Sequence, residues 1–294
     1  MIKLENVSKF FSKKEIIKNM SLEINKPIIY GLLGLNGAGK TTTIRLICDI
    51  LKPDSGTITK IDDIKNVNHI GYMPEEVGLY NDMTILEEII YFGKLHGMSK
   101  SEVLIVAMPL IKKFNLADFI NKPIGLLSKG TSRKVQFICT IIHSPKIIIL
   151  DEPFSGLDPL SSQILEQELI NLKKQGKTII LSTHRMEHAE LFCDHIFIIN
   201  NGQKIIDESM EDLKHKNIKN SYEIHMLNEV VIDPEKINHE KEKKDGYYKY
   251  MINLGSDTKI ENILNKMLEN NQLVYFKQET PSLKEIFLTK TIQI

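Results

Sequence analysis

An excess of either charge is missing from this chain: Lys and Arg together number 38, and so do Asp and Glu. No global field would therefore gather an anionic polymer, and only three of the basic residues, Arg45, Arg133 and Arg185, are arginines. Both facts argue against nucleic acid as a partner. Long apolar runs are missing too. The longest, Ile28 to Leu35, falls far short of the roughly 20 residues that cross a bilayer. The opening MIKLENVSK alternates like a strand and has no apolar stretch of a signal peptide, so a cytoplasmic chain is expected. Cysteine is scarce: Cys48, Cys139 and Cys193 show no metal or redox spacing, and they read as small buried hydrophobes of a reducing compartment.

What is present suits one large domain and one small one in 294 residues. IKLENVSKF and IIKNMSLEI alternate as strands, which implies an antiparallel layer at the start. PIIYGLLG is continuously apolar, as a strand buried on both faces would be, and it runs into a Gly-rich turn and the helical TTTIRLICDIL. Thr84 with Glu87 and Ser99 with Glu102 fit capping boxes ahead of helices. Pro109 is expected to kink or end the second of these. KIIILDE and KTIILSTH flank the helical SSQILEQELINLKKQG, a βαβ spacing that implies a parallel sheet.

The composition shifts near residue 208, at ESMEDLKHKNIKN, and a boundary is expected there, with domains 1–210 and 211–294. In the smaller one, SYEIHML, YYKYMIN and QLVYFKQ read as strands, EKEKKDG as a polar turn, and DTKIENILNKMLEN and SLKEIFLTK as helices.

The chemistry concentrates at a few places. Gly34-Leu35-Asn36-Gly37-Ala38-Gly39-Lys40-Thr41 matches G-x-x-x-x-G-K-[ST], in the strand-turn-helix context that makes this pattern specific. Its glycines let backbone N–H groups wrap phosphates, Lys40 reaches the β- and γ-phosphates, and the Thr41 hydroxyl holds Mg²⁺. Gly34, Asn36, Gly37, Ala38, Gly39, Lys40, Thr41 and Thr42 are thus nucleotide-binding candidates. Ile147-Ile148-Ile149-Leu150-Asp151-Glu152 puts two carboxylates at the end of a buried strand, where such a sheet opens its ligand crevice. Asp151 would help hold Mg²⁺, and Glu152 would orient or deprotonate the attacking water.

With these residues in place, further segments over residues 1 to about 205 resemble the ATP-binding subunits of ABC (ATP-binding-cassette) transporters. Leu127-Ser128-Lys129-Gly130 resembles the family signature Leu-Ser-Gly-Gly, Ser155-Gly156-Leu157-Asp158 the loop after the paired carboxylates, and His184 the switch histidine. The resemblance implies a P-loop NTPase fold: an α/β domain with a mixed sheet, an antiparallel β layer and a helical subdomain at about 75–143, followed by a small α+β accessory domain. It assigns Glu152 and His184 to catalysis and Thr41, Glu75 and Asp151 to the metal. It gives Ser128, Lys129 and Gly130 to the γ-phosphate bound by a second subunit, and Asp158 to the dimer loop. Phe11 aligns with the residue that stacks on adenine, although neighbouring Phe10 could take that place. Two positions depart from the family: Glu75 stands where glutamine is usual, and Lys129 where the signature has its first glycine. The extra carboxylate of Glu75 sits beside Asp151 and Glu152.

The implied protein is an ATPase that needs ATP, Mg²⁺, a second copy of itself or a similar subunit, and a separate membrane permease received by residues 75–115. It would sit peripherally on the inner face of the cell membrane. Pro281 to Phe287 resembles the tail of ATPases serving two-gene export systems, and equally suits a terminal helix packing Leu283, Ile286 and Phe287. Two other readings are a soluble ABC ATPase acting on ribosomes or DNA, and a nucleotide-binding regulator without turnover. The first lacks a second cassette or sustained heptads in this chain, and the second leaves Glu152 without a purpose.

Overall fold

A computed structural model describes residues 2–60, 69–230, 238–254, 259–269 and 271–292. They fall into two compact units, Met1–Met210 and Glu211–Gln293. In the first, β1 (Ile2–Phe11) pairs antiparallel with β2 (Lys14–Ile24) on one side and β4 (Ser55–Lys60) on the other. The expected antiparallel layer is therefore present. Its inward Ile2, Leu4, Val7, Ile17 and Met20 are buried against residues of the large sheet such as Tyr30, Leu32, Ile149 and Phe197. Burying each such side chain contributes about 1.5–3 kcal/mol.

The large sheet runs β5-β6-β7-β3-β8-β9. Its strands are β3 (Ile29–Leu33), β5 (Ile70–Met73), β6 (Ile147–Asp151), β7 (Thr178–Thr183), β8 (His195–Asn200) and the antiparallel edge strand β9 (Gln203–Ser209). All other neighbours are parallel. Every residue of β3 and β6 is buried, which explains their unbroken apolar sequence. Strand β7 lies between β3 and β6, so the loops that follow these three strands open side by side at one edge.

The connections supply α1 (Lys40–Ile47), α5 (Pro159–Lys174) and α6 (Met186–Phe192). The helical part holds α2 (Ile85–Leu95), α3 (Lys100–Lys113) and α4 (Lys129–Ile141). Both capping boxes are formed, at Thr84/Glu87 and Ser99/Glu102. Of the kink or end expected at Pro109, the end is not found. The helix continues through it to Lys113. Val103, Ala107 and Ile111 are buried on one face while Ile105 and Met108 are exposed on the other, so packing of the buried stripe holds the helix across the missing N–H.

Gly34, just after β3, is confined by its neighbours. A Cβ there would lie 2.3 Å from the Ile199 carbonyl oxygen, at φ 157°. Gly34→Ala is expected to lower stability by about 3 kcal/mol in urea unfolding, because strand β8 cannot retreat. A loss under about 0.5 kcal/mol, ordinary for a surface change, would contradict this close approach.

Helix α7 (Met210–Lys216) leads into the second unit, an antiparallel sheet in the order β11-β12-β10-β13. These strands are β10 (Ser221–Met226), β11 (Asn238–Lys244), β12 (Tyr247–Asn253) and β13 (Leu273–Gln278). Helix α8 (Ile260–Leu268) seats Ile263 and Met267 on Tyr222, Ile224, Met226, Tyr250 and Ile252. In α9 (Leu283–Ile292), Leu283, Ile286 and Phe287 are buried. One sequence reading fails here: most of EKEKKDG is strand β11, and the turn shrinks to Asp245 and Gly246. β11 is a sheet edge, where charge is favoured, and its Glu242 lies opposite Lys249 of β12. No helix among the described residues is long and apolar enough to cross a membrane.

Candidate active site

The turn from β3 into α1 has the geometry of an anion cradle. Gly39 precedes the helix at φ 109°, where only glycine is comfortable, and a Cβ would meet Ile17 Cδ1 at 2.7 Å. No side chain caps α1 and no acidic residue sits in its first turn, so its leading amides are left to a negative ligand. Thr43 steadies the turn by donating its hydroxyl to the Gly39 carbonyl at 2.9 Å. Lys40 is buried, 7% exposed. Its Nζ donates to the carbonyls of Gly34 (2.9 Å) and Leu35 (3.3 Å) and stands 3.7 Å from Glu152 Oε1.

Asp151 ends β6 and Glu152 follows it in the left-handed region, φ 48°. That conformation is costly for a glutamate. It is held by neighbours: the Glu152 amide donates to Ser182 Oγ at 3.1 Å and lies 3.2 Å from the Ser182 carbonyl. Ser182 in turn donates its hydroxyl to Asp151 Oδ1. The other oxygen, Asp151 Oδ2, is buried with no hydrogen-bond partner. His184, after β7, places Nδ1 2.8 Å from Glu152 Oε1. It is the more exposed of the pair, with 46% of its side chain open against 10% for Glu152.

A cavity of about 620 Å³ joins these pieces. Of the sequence candidates, Phe11, Asn36, Gly37, Gly39, Lys40, Thr41, Thr42, Glu75, Asp151, Glu152 and His184 line it. Phe10 does not. Gly34 and Ala38 lie beneath the lining, buried in the turn. Ser155, from the loop noted after the paired carboxylates, lines it as well. Lys14, Ile16 and Arg45 also line the cavity, and no sequence motif singled them out: they arrive by the β1–β2 hairpin and one turn of α1.

The signature residues are elsewhere. Ser128 caps α4 by accepting from the Thr131 amide at 3.2 Å, and neither it, Lys129 nor Gly130 lines the cavity. A Cβ on Gly130 would lie 2.8 Å from the Gly156 carbonyl oxygen, so signature and carboxylate loop touch within one chain. Asp158 caps α5, accepting from the Ser161 amide at 2.9 Å. The Ser161 hydroxyl, which donates to Asp158 Oδ2, and then the amide hold its carboxyl below the usual range.

Sequence reasoning missed Arg133. It is fully buried in α4, 1% exposed. Nη1 donates to the carbonyls of Pro74 (3.0 Å) and Glu75, and Nη2 to those of Asp151 (2.9 Å) and Glu152 (2.7 Å). Burial pushes its pKa down, opposed by the Glu75, Asp151 and Glu152 carboxylates. Gln136, one turn on, donates to the Glu76 carbonyl at 2.8 Å. The one sequence signal that bears on it is composition: the chain has only three arginines.

A buried lysine, a helix start without a cap and paired carboxylates at the mouth of a mostly parallel sheet define a P-loop nucleotide hydrolase. Comparison with known proteins makes this narrower. The ABC transporter family model matches residues 17–155, and that of the ATP-binding protein DrrA1-3-like C-terminal domain matches residues 209–291. The uncharacterized ABC transporter ATP-binding protein YhaQ of Bacillus subtilis is 36% identical over 295 residues, 99% of this chain and 98% of that one. The Nod factor export ATP-binding protein I of Sinorhizobium fredii is 35% identical over 212 residues, 70% of this chain and 62% of that protein. Among solved structures, a dimeric post-hydrolysis state of the ATP-binding cassette MJ0796 with ADP and Pi is similar at 26% identity and TM-score 0.63, covering 71% of this chain and 99% of that one.

The chain belongs to the ATP-binding proteins of ABC transporters, and it binds and hydrolyses ATP. Subunits of this kind work with membrane permease components and dimerise.

Proposed function

We propose that this subunit drives export through a separate permease, with two copies closing over two ATP molecules at the inner face of the cell membrane. The export-related relative supports the direction. The carrying observation is the division of labour within one chain: Lys40, Asp151, Glu152 and His184 meet at one cavity, while Ser128, Lys129 and Gly130 lie outside it. A phosphate contact from the signature therefore requires a second copy. Exposed Tyr80, Leu95, Ile105 and Met108 suit residues 75–115 to receiving the permease. A role on ribosomes or DNA finds no support among these relatives.

The residues present fit Mg²⁺. Among the described residues no cluster of three or more His, Cys, Asp or Glu forms a protein cage. Mg²⁺ commonly binds through one or two carboxylates plus substrate phosphates, and the unpartnered Asp151 Oδ2 is such a hard donor. Thr41, Asp151 and Glu75 would hold the ion, which when bound neutralises charge on the β- and γ-phosphate oxygens. The loop amides and Lys40 bind the triphosphate. Glu152 takes the proton of a water whose oxygen bonds to the γ-phosphorus as the bond to the β-bridging oxygen breaks, leaving ADP and phosphate. His184 orients the Glu152 carboxylate at 2.8 Å.

The dimer can be tested on the Glu152→Gln chain, which keeps ATP from turning over. With ATP and Mg²⁺ its mass by light scattering is expected to double, and adding Ser128→Glu, a carboxylate aimed at phosphate, is expected to return it to monomer. A nucleotide-bound chain that stays monomeric would overturn the two-copy arrangement.

A further inference from the structure

Glu75, Asp151 and Glu152 place three carboxylates on one cavity. Like charges gathered on one cavity repel one another, and a cation nearby offsets that repulsion. Lys40 is the cavity's buried cation, and a triphosphate would engage it. Lys14 and Arg45 also line the cavity, whereas Arg133 is buried against the main chain of Glu75, Asp151 and Glu152 without lining it, where phosphate does not reach.

Its hydrogen bonds are unusual in their targets. The guanidinium donates to main-chain oxygens of two segments far apart in sequence, the Pro74–Glu75 turn and the Asp151–Glu152 strand end. One planar fork thereby sets the spacing between the residue proposed to hold the metal and the residue proposed to accept the proton. It also grips Glu152 at the main chain whose φ of 48° needs restraint. A lysine would bring the same charge without the fork.

We propose that Arg133 is a positioning residue of the hydrolytic site and the internal countercation that lets this chain carry Glu75. The inference rests on the site reading given above. Arg133 does not line the cavity. It acts by holding Glu75 and Glu152 in one frame and by offsetting their charge from behind.

Steady-state ATP hydrolysis by the purified full chain, with nucleotide affinity measured separately by a fluorescent ATP analogue, tests it. Arg133→Gln is expected to lower kcat about 100-fold with KM changed less than about threefold, as when a catalytic group is misplaced but the ligand still binds. Adding Glu75→Gln removes the uncompensated carboxylate and is expected to restore about tenfold of that loss. Arg133→Lys keeps the charge but not the fork, so its kcat falls about tenfold and Glu75→Gln restores nothing. Parental kcat in Arg133→Gln, or rate losses for Arg133→Gln and Glu75→Gln that simply multiply, would overturn the proposal. Should Arg133→Gln fail to fold, Arg133→Lys carries the test, and parental kcat there overturns it. A parent chain that binds no nucleotide would instead remove the site reading itself; a parent that binds and hydrolyses ATP confines the failure to Arg133.

Discussion

Glu152→Gln lowers the rate of ATP hydrolysis by about 1000-fold and leaves nucleotide affinity at the parental level, within the range for loss of a placed general base. The substitution is nearly isosteric, so the turn at φ 48° and the amide bond to Ser182 Oγ survive. What disappears is the oxygen charge that faces both His184 Nδ1 at 2.8 Å and Lys40 Nζ at 3.7 Å. An amide cannot accept the water proton. Binding does not suffer, because Lys40 loses a competing anion and remains available to phosphate. A single-turnover assay at saturating ATP, beside a binding titration, reads the two effects apart. Parental turnover in this variant would take Glu152 out of the chemistry and leave the paired carboxylates as a metal site alone.

The fold class was legible because its signals are local. An unbroken apolar strand, a Gly-rich turn and a helix start occupy adjacent residues, and Ile147 to Asp151 declares a doubly covered strand by itself. The features that escaped depend on distance in the chain. Arg133 gains its place from carbonyls 58 residues before it and 18 and 19 residues after it, and no spacing rule links those positions. Ser182, which holds Glu152 and Asp151, sits 30 and 31 residues beyond them. Lys14 and Ile16 reach the cavity only because a hairpin folds back over the loop.

The end allowed for at Pro109 and the turn expected at EKEKK fail for a related reason. Local preference speaks for a break and for a turn, yet neighbours decide otherwise. A buried stripe carries α3 through the proline, and an edge position makes charge acceptable in β11.

Lys40→Ala weakens ATP binding by about 1000-fold, the consequence of losing charged hydrogen bonds to two phosphates at about 1.5–3 kcal/mol each. The structure shows why nothing nearby can substitute. Lys40 Nζ is the buried donor at the floor of the loop, 7% exposed, anchored on the carbonyls of Gly34 and Leu35. Lys14 lines the same cavity from the start of β2, and Arg45 lines it from one helical turn beyond Thr41 in α1, so neither stands at the floor of the loop. The truncation also strips the Gly34 and Leu35 carbonyls of a donor and leaves Glu152 without its cation, so a fall in stability accompanies it. Lys40→Met separates these effects: its unbranched apolar chain refills the space, which limits the packing loss, while the charge stays absent. Titration with a fluorescent ATP analogue is expected to find both variants equally weak, although Lys40→Met melts closer to the parent. Affinity within about threefold of the parent in a folded Lys40→Met chain, under 1 kcal/mol on the scale of RT ln Kd, would move the triphosphate away from residues 34 to 41 altogether.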